Sequence, residues 1–186
     1  MNKRIELEIR EATESDLIDV LSVEIQAFGT DEESELVNNL LHDSSAAPLW
    51  SLIALDDEQA IGHILFTKTR LADTDNSVMA VILAPLAVIP KEQGKGVGGK
   101  LIARGLSLLS ESGVELVFVL GDPKYYTRHK FMPAGPLGFD APYPLPKEYI
   151  DMGAWMVQEL CVGVIARTSG KVVCADALAR PEYWIE

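Results

Sequence analysis

The sequence predicts a mixed α/β (α+β) fold, in which helices flank a mostly antiparallel sheet of about 6–7 strands and the fourth and fifth strands run parallel and splay apart. Three observations predict it. Apolar segments at residues 49–55, 60–70 and 78–89 are separated by short polar turns, the pattern of an antiparallel meander. The last of them leads through a glycine-rich loop and an amphipathic stretch at 97–109 to an apolar run at 114–120, a single βαβ crossover that makes those two strands parallel. Pro85 stands inside segment 78–89, where it cannot donate to a ladder and so marks an edge or a bulge.

Each element follows from local pattern. Residues 5–9 alternate Ile5, Glu6, Leu7, Glu8, Ile9, the period of a half-buried strand. Thr13 can cap the next helix, with Asp16 reaching back as its capping-box partner. Leu17, Val20, Leu21, Val23, Ile25 and Phe28 form that helix's apolar side, and Gly29 ends it. A second helix over 33–41 sets Leu36, Leu40 and Leu41 on one face, with acids in its first turn, where the helix dipole favours them.

The hairpin 49–55/60–70 turns at Asp56-Asp57-Glu58-Gln59, and residues 73–76 turn the chain into 78–89. If pairing breaks at Pro85, then Leu86, Ala87 and Val88 keep backbone groups free for an extended ligand that adds as a strand would. Val97, Leu101, Ile102, Leu106, Leu108 and Leu109 mark a helix against the sheet, with Gly113 as its carboxyl cap, and 114–120 reads as a buried strand. Pro123 can open a short helix, bringing Tyr125 or Tyr126 to the rim of the cleft. The proline-rich segment 133–152 reads either as an ordered surface loop or as a lid. Residues 156–166 and 171–177 read as closing strands.

At 186 residues, 48% of them hydrophobic, the chain suits one domain spanning 1–186, with no internal repeat and no apolar run of membrane-spanning length. Its first residues lack the apolar stretch of a signal peptide, which predicts a cytoplasmic protein. A net charge of −12 argues against a nucleic-acid partner and mildly favours cationic or neutral substrates. Cys161 and Cys174 lie in apolar stretches without metal-ligand spacing and read as buried packing residues. His42, His63 and His129 are scattered and read as surface or structural, so no metal is expected.

The stretch from Leu83 to Leu101 carries the chemistry. A buried strand, a polar loop and a glycine-rich helix start make a cradle for phosphate. The first turn of a helix has unpartnered N–H groups and the positive end of the dipole, and glycine lets an anion approach the backbone. Three patterns fit this segment. Gly94, Gly96 and Gly99 satisfy the dinucleotide fingerprint, but a four-residue loop separates them from the strand, and no acid ends a strand about 20 residues on. Gly94, Gly99 and Lys100 satisfy most of a nucleotide P-loop, but Leu101 stands where a hydroxyl must reach magnesium. The third pattern, Gln/Arg-x-x-Gly-x-Gly/Ala, is met by Gln93-Gly94-Lys95-Gly96-Val97-Gly98.

That third pattern resembles the pyrophosphate loop of the GNAT superfamily, the acyl-CoA-dependent N-acyltransferases, and the preceding residues 86–90 resemble that family's fourth strand and its exit. Leu120-Gly121-Asp122-Pro123-Lys124-Tyr125-Tyr126-Thr127-Arg128, followed by Phe131, is similar to a segment of one bacterial GNAT subgroup, with Lys130 where the subgroup has glycine. The resemblance is strong over residues 83–131 and looser elsewhere. It implies acetyl-CoA as co-substrate and an amine acceptor on a small molecule or protein, while the apolar carboxyl-terminal segments leave a monomer or a homodimer open. Gln93, Gly94, Lys95, Gly96, Val97, Gly98 and Gly99 would hold the pyrophosphate, and Leu86, Ala87 and Val88 the pantetheine. A backbone N–H of Leu86 or Ala87 would stabilise the oxyanion, and Tyr126 would lie by the sulfur as general acid.

Alternatives stay open at this level. Tyr125 and Tyr126 can both be packing residues. The fourth strand has no acid, which leaves Glu24 on the first helix or a water relay as the base, although a helical glutamate ordinarily faces solvent. The acceptor pocket would be lined by the first two helices, the hairpin and the proline-rich segment. A non-catalytic acyl-CoA sensor would use the same cradle with that pocket closed or serving a partner protein.

Overall fold

Strand β1 (Glu8–Glu11) opens the sheet. The computed structural model describes residues 7–75 and 77–185, so the amino-terminal part of the strand expected at 5–9 lies outside the described residues. The Asp16 carboxylate accepts the Thr13 backbone N–H at 2.7 Å, the reciprocal contact of the expected capping box, and also grips the Arg10 guanidinium through two hydrogen bonds of 2.7 and 2.8 Å. Those bonds hold the Asp16 carboxyl well below the usual carboxylate range and tie β1 to the helix that follows.

Helix α1 (Leu17–Phe28) ends at Gly29, whose φ of 77° is the left-handed conformation expected of a glycine cap. The stripe it buries is not the expected one. Val20, Val23 and Glu24 face inward, whereas Ile25 and Phe28 are 42% and 43% exposed. Helix α2 (Glu32–His42) buries Leu36, Val37 and Leu40.

Strands β2 (Leu49–Asp56) and β3 (Gln59–Leu71) form the expected hairpin, with Asp57 and Glu58 both at positive φ in the tight turn. Strand β4 (Ala80–Val88) runs antiparallel to β3. Helix α3 (Val97–Glu111) then crosses over to β5 (Leu116–Leu120), which lies parallel to β4. The sheet continues through β8 (Trp155–Glu159) to the two-residue β6 (Met132–Pro133), giving the order β1-β2-β3-β4-β5-β8-β6.

The sheet alternates faces strand by strand. Ile53, Leu65, Ile82 and Phe118 pack with Leu36, Leu40 and Trp155 on one side, while Leu52, Phe66, Val117 and Val119 pack with Leu101, Ile102 and Leu109 of α3 on the other. Each such fully buried side chain contributes about 1.5–3 kcal/mol through removal from water.

Two expectations near the carboxyl end need correction. Segment 133–152 is not without structure: it contains a 3-10 turn at Gly135–Leu137, strand β7 (Phe139–Asp140) and helix α5 (Lys147–Met152). The strand expected over 156–166 ends at Glu159, because the chain turns and the Glu159 carboxylate accepts the Ile165 N–H at 3.0 Å within helix α6 (Val164–Arg167). Strand β9 (Gly170–Val173) pairs with β7 and with the end of β3. Cys161 is exposed rather than buried, and Cys174 is half-buried, with burial pushing its thiol up to about 11.

Candidate active site

Strands β4 and β5 pair only at Ala80/Leu116, Val81/Val117 and Ile82/Phe118, although both continue beyond those positions. They part where Pro85 interrupts β4. Across β3, Ile64 faces Leu86 and Phe66 faces Leu83, so β4 carries one extra residue around Ala84 and Pro85, which is a β-bulge. The Ala84–Pro85 peptide is cis.

Beyond the bulge the ladder decides which peptide groups face the cleft. The Ile89 N–H donates to Ile61 C=O at 3.0 Å, and Ala87 lies opposite His63. In an antiparallel ladder the residues that exchange hydrogen bonds alternate with those that do not. Ala87 therefore turns its peptide groups toward β3, while Leu86 and Val88 turn theirs toward the cleft. Ala87 was expected to share cofactor contact and the oxyanion role, and its commitment to β3 leaves Leu86 as the available donor. The Val88 carbonyl is also occupied, since the Gln93 side chain donates to it at 2.9 Å and pins the loop back onto the strand.

The glycine turn follows a 3-10 segment at Pro90–Glu92. Gly94 and Gly96 have φ of 75° and 87°, and nothing lies within 4 Å of the position a Cβ would take on either. Both conformations favour glycine, and the open space above them is what a phosphate group needs. Gly96 precedes α3, so the N–H groups of Val97, Gly98 and Gly99 begin the helix without intrahelical acceptors. Val97 buries its side chain, so only its backbone is available. Lys95 pairs with Glu92 at 3.1 Å.

Gly98 and Gly99 serve a purpose the sequence pattern did not suggest. A Cβ on Gly98 would lie 2.6 Å from the Tyr125 hydroxyl, and one on Gly99 would lie 3.1 Å from the His129 ring. The absence of side chains there lets helix α4 (Pro123–Tyr126) and the turn after it pack onto the start of α3. The Tyr125 ring lies 5.1 Å from that of His129, tilted by 58°, and has Arg128 over its face at 5.0 Å. Burial and Arg128 together lower the His129 pKa.

The two tyrosines are thus separated by role. Tyr126 is 9% exposed, its ring lies edge-on to Tyr125 and Phe131, and it sits tightly against Gly121, where a Cβ would be 2.4 Å from the tyrosine ring. Its hydroxyl has no hydrogen-bond partner among the described residues, and burial raises its pKa well above the ordinary value for a phenol. Lys130, on the turn that follows, holds the left-handed conformation at φ 68°.

Where the strands part lies a cavity of about 510 Å³. Its walls come from Leu83, Pro85 and Leu86 of β4, from Gly121, Asp122 and Tyr126, and from Phe28, Glu32 and Glu33 at the α1–α2 junction. Tyr149 and Met152 contribute from the proline-rich segment. The β2–β3 hairpin, expected to line it, does not. Its place is taken by Leu178, Tyr183 and Trp184 near the carboxyl end, which no periodic pattern singled out. A second cavity, of about 600 Å³, lies within the proline-rich segment itself and meets the first only at Tyr149.

Glu24 also departs from expectation. It is fully buried, with Oε1 2.5 Å from His63 Nδ1, and His63 Nε2 is 2.9 Å from Ser51 Oγ. Burial raises the Glu24 pKa against the opposing pull of His63, and its second carboxyl oxygen has no hydrogen-bond partner among the described residues. Among the described residues, no group of three or more His, Cys, Asp or Glu side chains is arranged to hold a metal, and no helix is long and apolar enough to cross a membrane.

Comparison with known proteins bears on the same segment. Residues 8–134 match the family described as acetyltransferase (GNAT) domain. The chain is 47% identical to the uncharacterized N-acetyltransferase YjhQ of Escherichia coli K12 over 163 residues, covering 87% of this chain and 88% of that protein. The crystal structure of Escherichia coli YhbS, a GNAT family N-acetyltransferase in complex with CoA, superposes with a TM-score of 0.86 at 28% identity over 97% of this chain and 96% of that one. A GNAT family acetyltransferase from Brucella melitensis in complex with acetyl-CoA superposes with a TM-score of 0.74 at 26% identity, over 94% and 99% of the two chains. The match over most of the chain, together with a bulged strand, a parted parallel pair and a glycine turn, shows that this protein belongs to the GNAT acetyltransferase family.

Proposed function

We propose that the protein transfers an acetyl group from acetyl-CoA directly to a primary amine, both substrates being held together in the cleft between β4 and β5. The observation that carries this reading is the parting of the strands beyond Ile82 and Phe118, which opens a cavity lined by Leu86 of β4 and by Tyr126. The solved relatives bound to CoA and acetyl-CoA support it.

The chain's own groups fit such a ligand. Main-chain N–H groups over residues 94–99 hold pyrophosphate, with Gly94 and Gly96 keeping the approach clear. Leu86 through its peptide groups and Val88 through its N–H meet the pantetheine amides in the manner of a neighbouring strand. Acetyl-CoA, when bound, supplies the thioester whose C–S bond breaks as the new C–N bond forms. The Leu86 N–H donates to the carbonyl oxygen as negative charge grows there. Tyr126 stays protonated at neutral pH and delivers its proton to the departing sulfur, where a desolvated thiolate is a strong base, while the proton that the acceptor nitrogen loses on acylation passes to solvent, from which the phenol is restored.

The 510 Å³ cavity does not fit a sensor whose acceptor pocket is closed, and turnover separates acetyl transfer from a sensor whose pocket serves a partner protein. Thiol release from acetyl-CoA in the presence of an amine panel, with CoA binding measured calorimetrically, tests the proposal. Turnover with at least one amine is expected. Binding of CoA without turnover for any amine contradicts acetyl transfer.

A further inference from the structure

We infer that the acceptor is a small primary amine on an apolar or aromatic body that carries no carboxylate of its own, an arylalkylamine being the type. The inference rests on the acetyl-transfer reading and names the substrate class of the same cleft.

The acceptor end of the cavity combines two features that select together. Its walls are apolar and aromatic: Phe28, Leu36, Tyr149, Met152 and Trp184 surround the space facing Tyr126. Trp184 is fixed there, buried, with its indole N–H donated to the Leu178 carbonyl at 3.2 Å. The charged groups lining the cavity are all acids, Glu32, Glu33 and Asp122, and no Lys, Arg or His lines it among the described residues. None of the three acids forms an ion pair among the described residues. Glu33 accepts only the Thr30 hydroxyl, at 2.9 Å, and Asp122 is occupied in capping α4 through the Lys124 N–H.

Behind this wall, one helical turn before Phe28, lies Glu24, fully buried and with an unpartnered carboxyl oxygen. Glu33 adds to the upward push on its pKa, so these two acids feel one another. The field that favours a cation in the cavity comes from Glu32, Glu33 and Asp122 on its wall, where no Lys, Arg or His among the described residues opposes them.

The chemistry excludes the common alternatives. A free amino acid would bring a carboxylate into a space bounded by acids with no cation to receive it, an uncompensated desolvation. An amino sugar would press hydroxyls against walls that offer few partners, and each unmet hydroxyl is costly. A polyamine satisfies the acids but has no apolar or aromatic body to fill the space against Phe28, Leu36 and Met152. A primary amine with an aromatic body meets both demands: its ammonium is drawn in by the carboxylates, and its body is buried against Phe28, Tyr149 and Trp184.

The test uses matched pairs with the intact protein at saturating acetyl-CoA: tryptamine against tryptophan, and 2-phenylethylamine against phenylalanine, with spermidine and glucosamine alongside. Each amine is expected to exceed its amino acid by about tenfold or more in kcat/KM, and to exceed spermidine and glucosamine. Glu33→Gln and, separately, Glu32→Gln are expected to raise KM for tryptamine several-fold while the Kd for CoA stays as in the wild type, which also reports that each variant is folded. Amino acids used as well as the amines, or spermidine or glucosamine preferred, overturns the inference, as does CoA binding with no tryptamine or phenylethylamine turnover. Failure to bind CoA at all overturns instead the acetyl-transfer reading on which it rests.

Discussion

Glu24 Oε1 and His63 Nδ1 meet at 2.5 Å between α1 and β3, with both side chains fully shielded from solvent. A charged or shared-proton contact at such depth joins the helix that walls the acceptor cavity to the strand that pairs with the far side of β4. Its partners are unequal in supply: the carboxyl group has an orphan oxygen, whereas the imidazole is satisfied on both nitrogens by Glu24 and Ser51.

Removing one member of that pair leaves the other stranded. His63→Leu is expected to destabilise the fold by about 3–5 kcal/mol, and the double variant with Glu24→Leu to recover a substantial part of the loss. The raised Glu24 pKa also has a sign. A carboxyl whose folded pKa exceeds its unfolded value contributes stability below the ordinary 4.5 that is lost as pH rises through the folded pKa. Urea midpoints are therefore expected to fall less steeply between pH 4.5 and the folded pKa in Glu24→Gln than in the wild type, and parallel curves contradict the assignment.

Tyr126→Phe deletes a hydroxyl without altering the packing of the ring against Gly121 and Phe131. Turnover is expected to fall about 100-fold or more while CoA affinity stays nearly unchanged. Wild-type turnover in this variant removes Tyr126 from the mechanism.

Gly121→Ala tests the same tyrosine from behind. The added methyl group would lie 2.4 Å from the Tyr126 ring, so the ring must move. We expect a loss of about 1–3 kcal/mol in stability together with a turnover defect approaching that of Tyr126→Phe. A variant with full activity shows that the tyrosine's position is unimportant.

Lys130 occupies the left-handed region at φ 68° on an exposed turn. Lys130→Gly relieves the steric penalty of its Cβ, against a more flexible unfolded chain, and is expected to raise stability by up to about 1 kcal/mol without changing turnover. Chemical denaturation decides it, and a lower midpoint contradicts the expectation.

Much of this site was legible because it is built from backbone, and backbone demands have residue signatures. Pro85 announced the bulge, Gly94 and Gly96 the turn, Gly29 and Gly113 the helix ends, and Asp122-Pro123 the short helix that carries Tyr126. What could not be seen was long-range. Glu24 shares a stripe with Val20 and Val23, and His63 stands within the apolar run 60–66 of β3, so each was a polar residue on a buried face. Only the fold brings the two, 39 residues apart, into contact.

The direction of individual peptide groups was likewise hidden, because Leu86, Ala87 and Val88 are alike in pattern until the β3 register assigns Ala87 to the ladder. Tyr183 and Trp184 reach the cavity from a short 3-10 turn with no periodicity to reveal which face is buried. In the proline-rich segment, two-residue strands are too short for any period to register.

The central claim is that main-chain amides released by a bulge and by two glycines grip the carrier of the acetyl group. Amide chemical shifts of the isotope-labelled protein during titration with CoA read those groups one by one. The account predicts that the largest shifts fall on Leu86, Val88 and residues 94–99, with Ala87 little affected because β3 holds it. Unmoved signals at those positions, or shifts confined to the cavity of the proline-rich segment, contradict it.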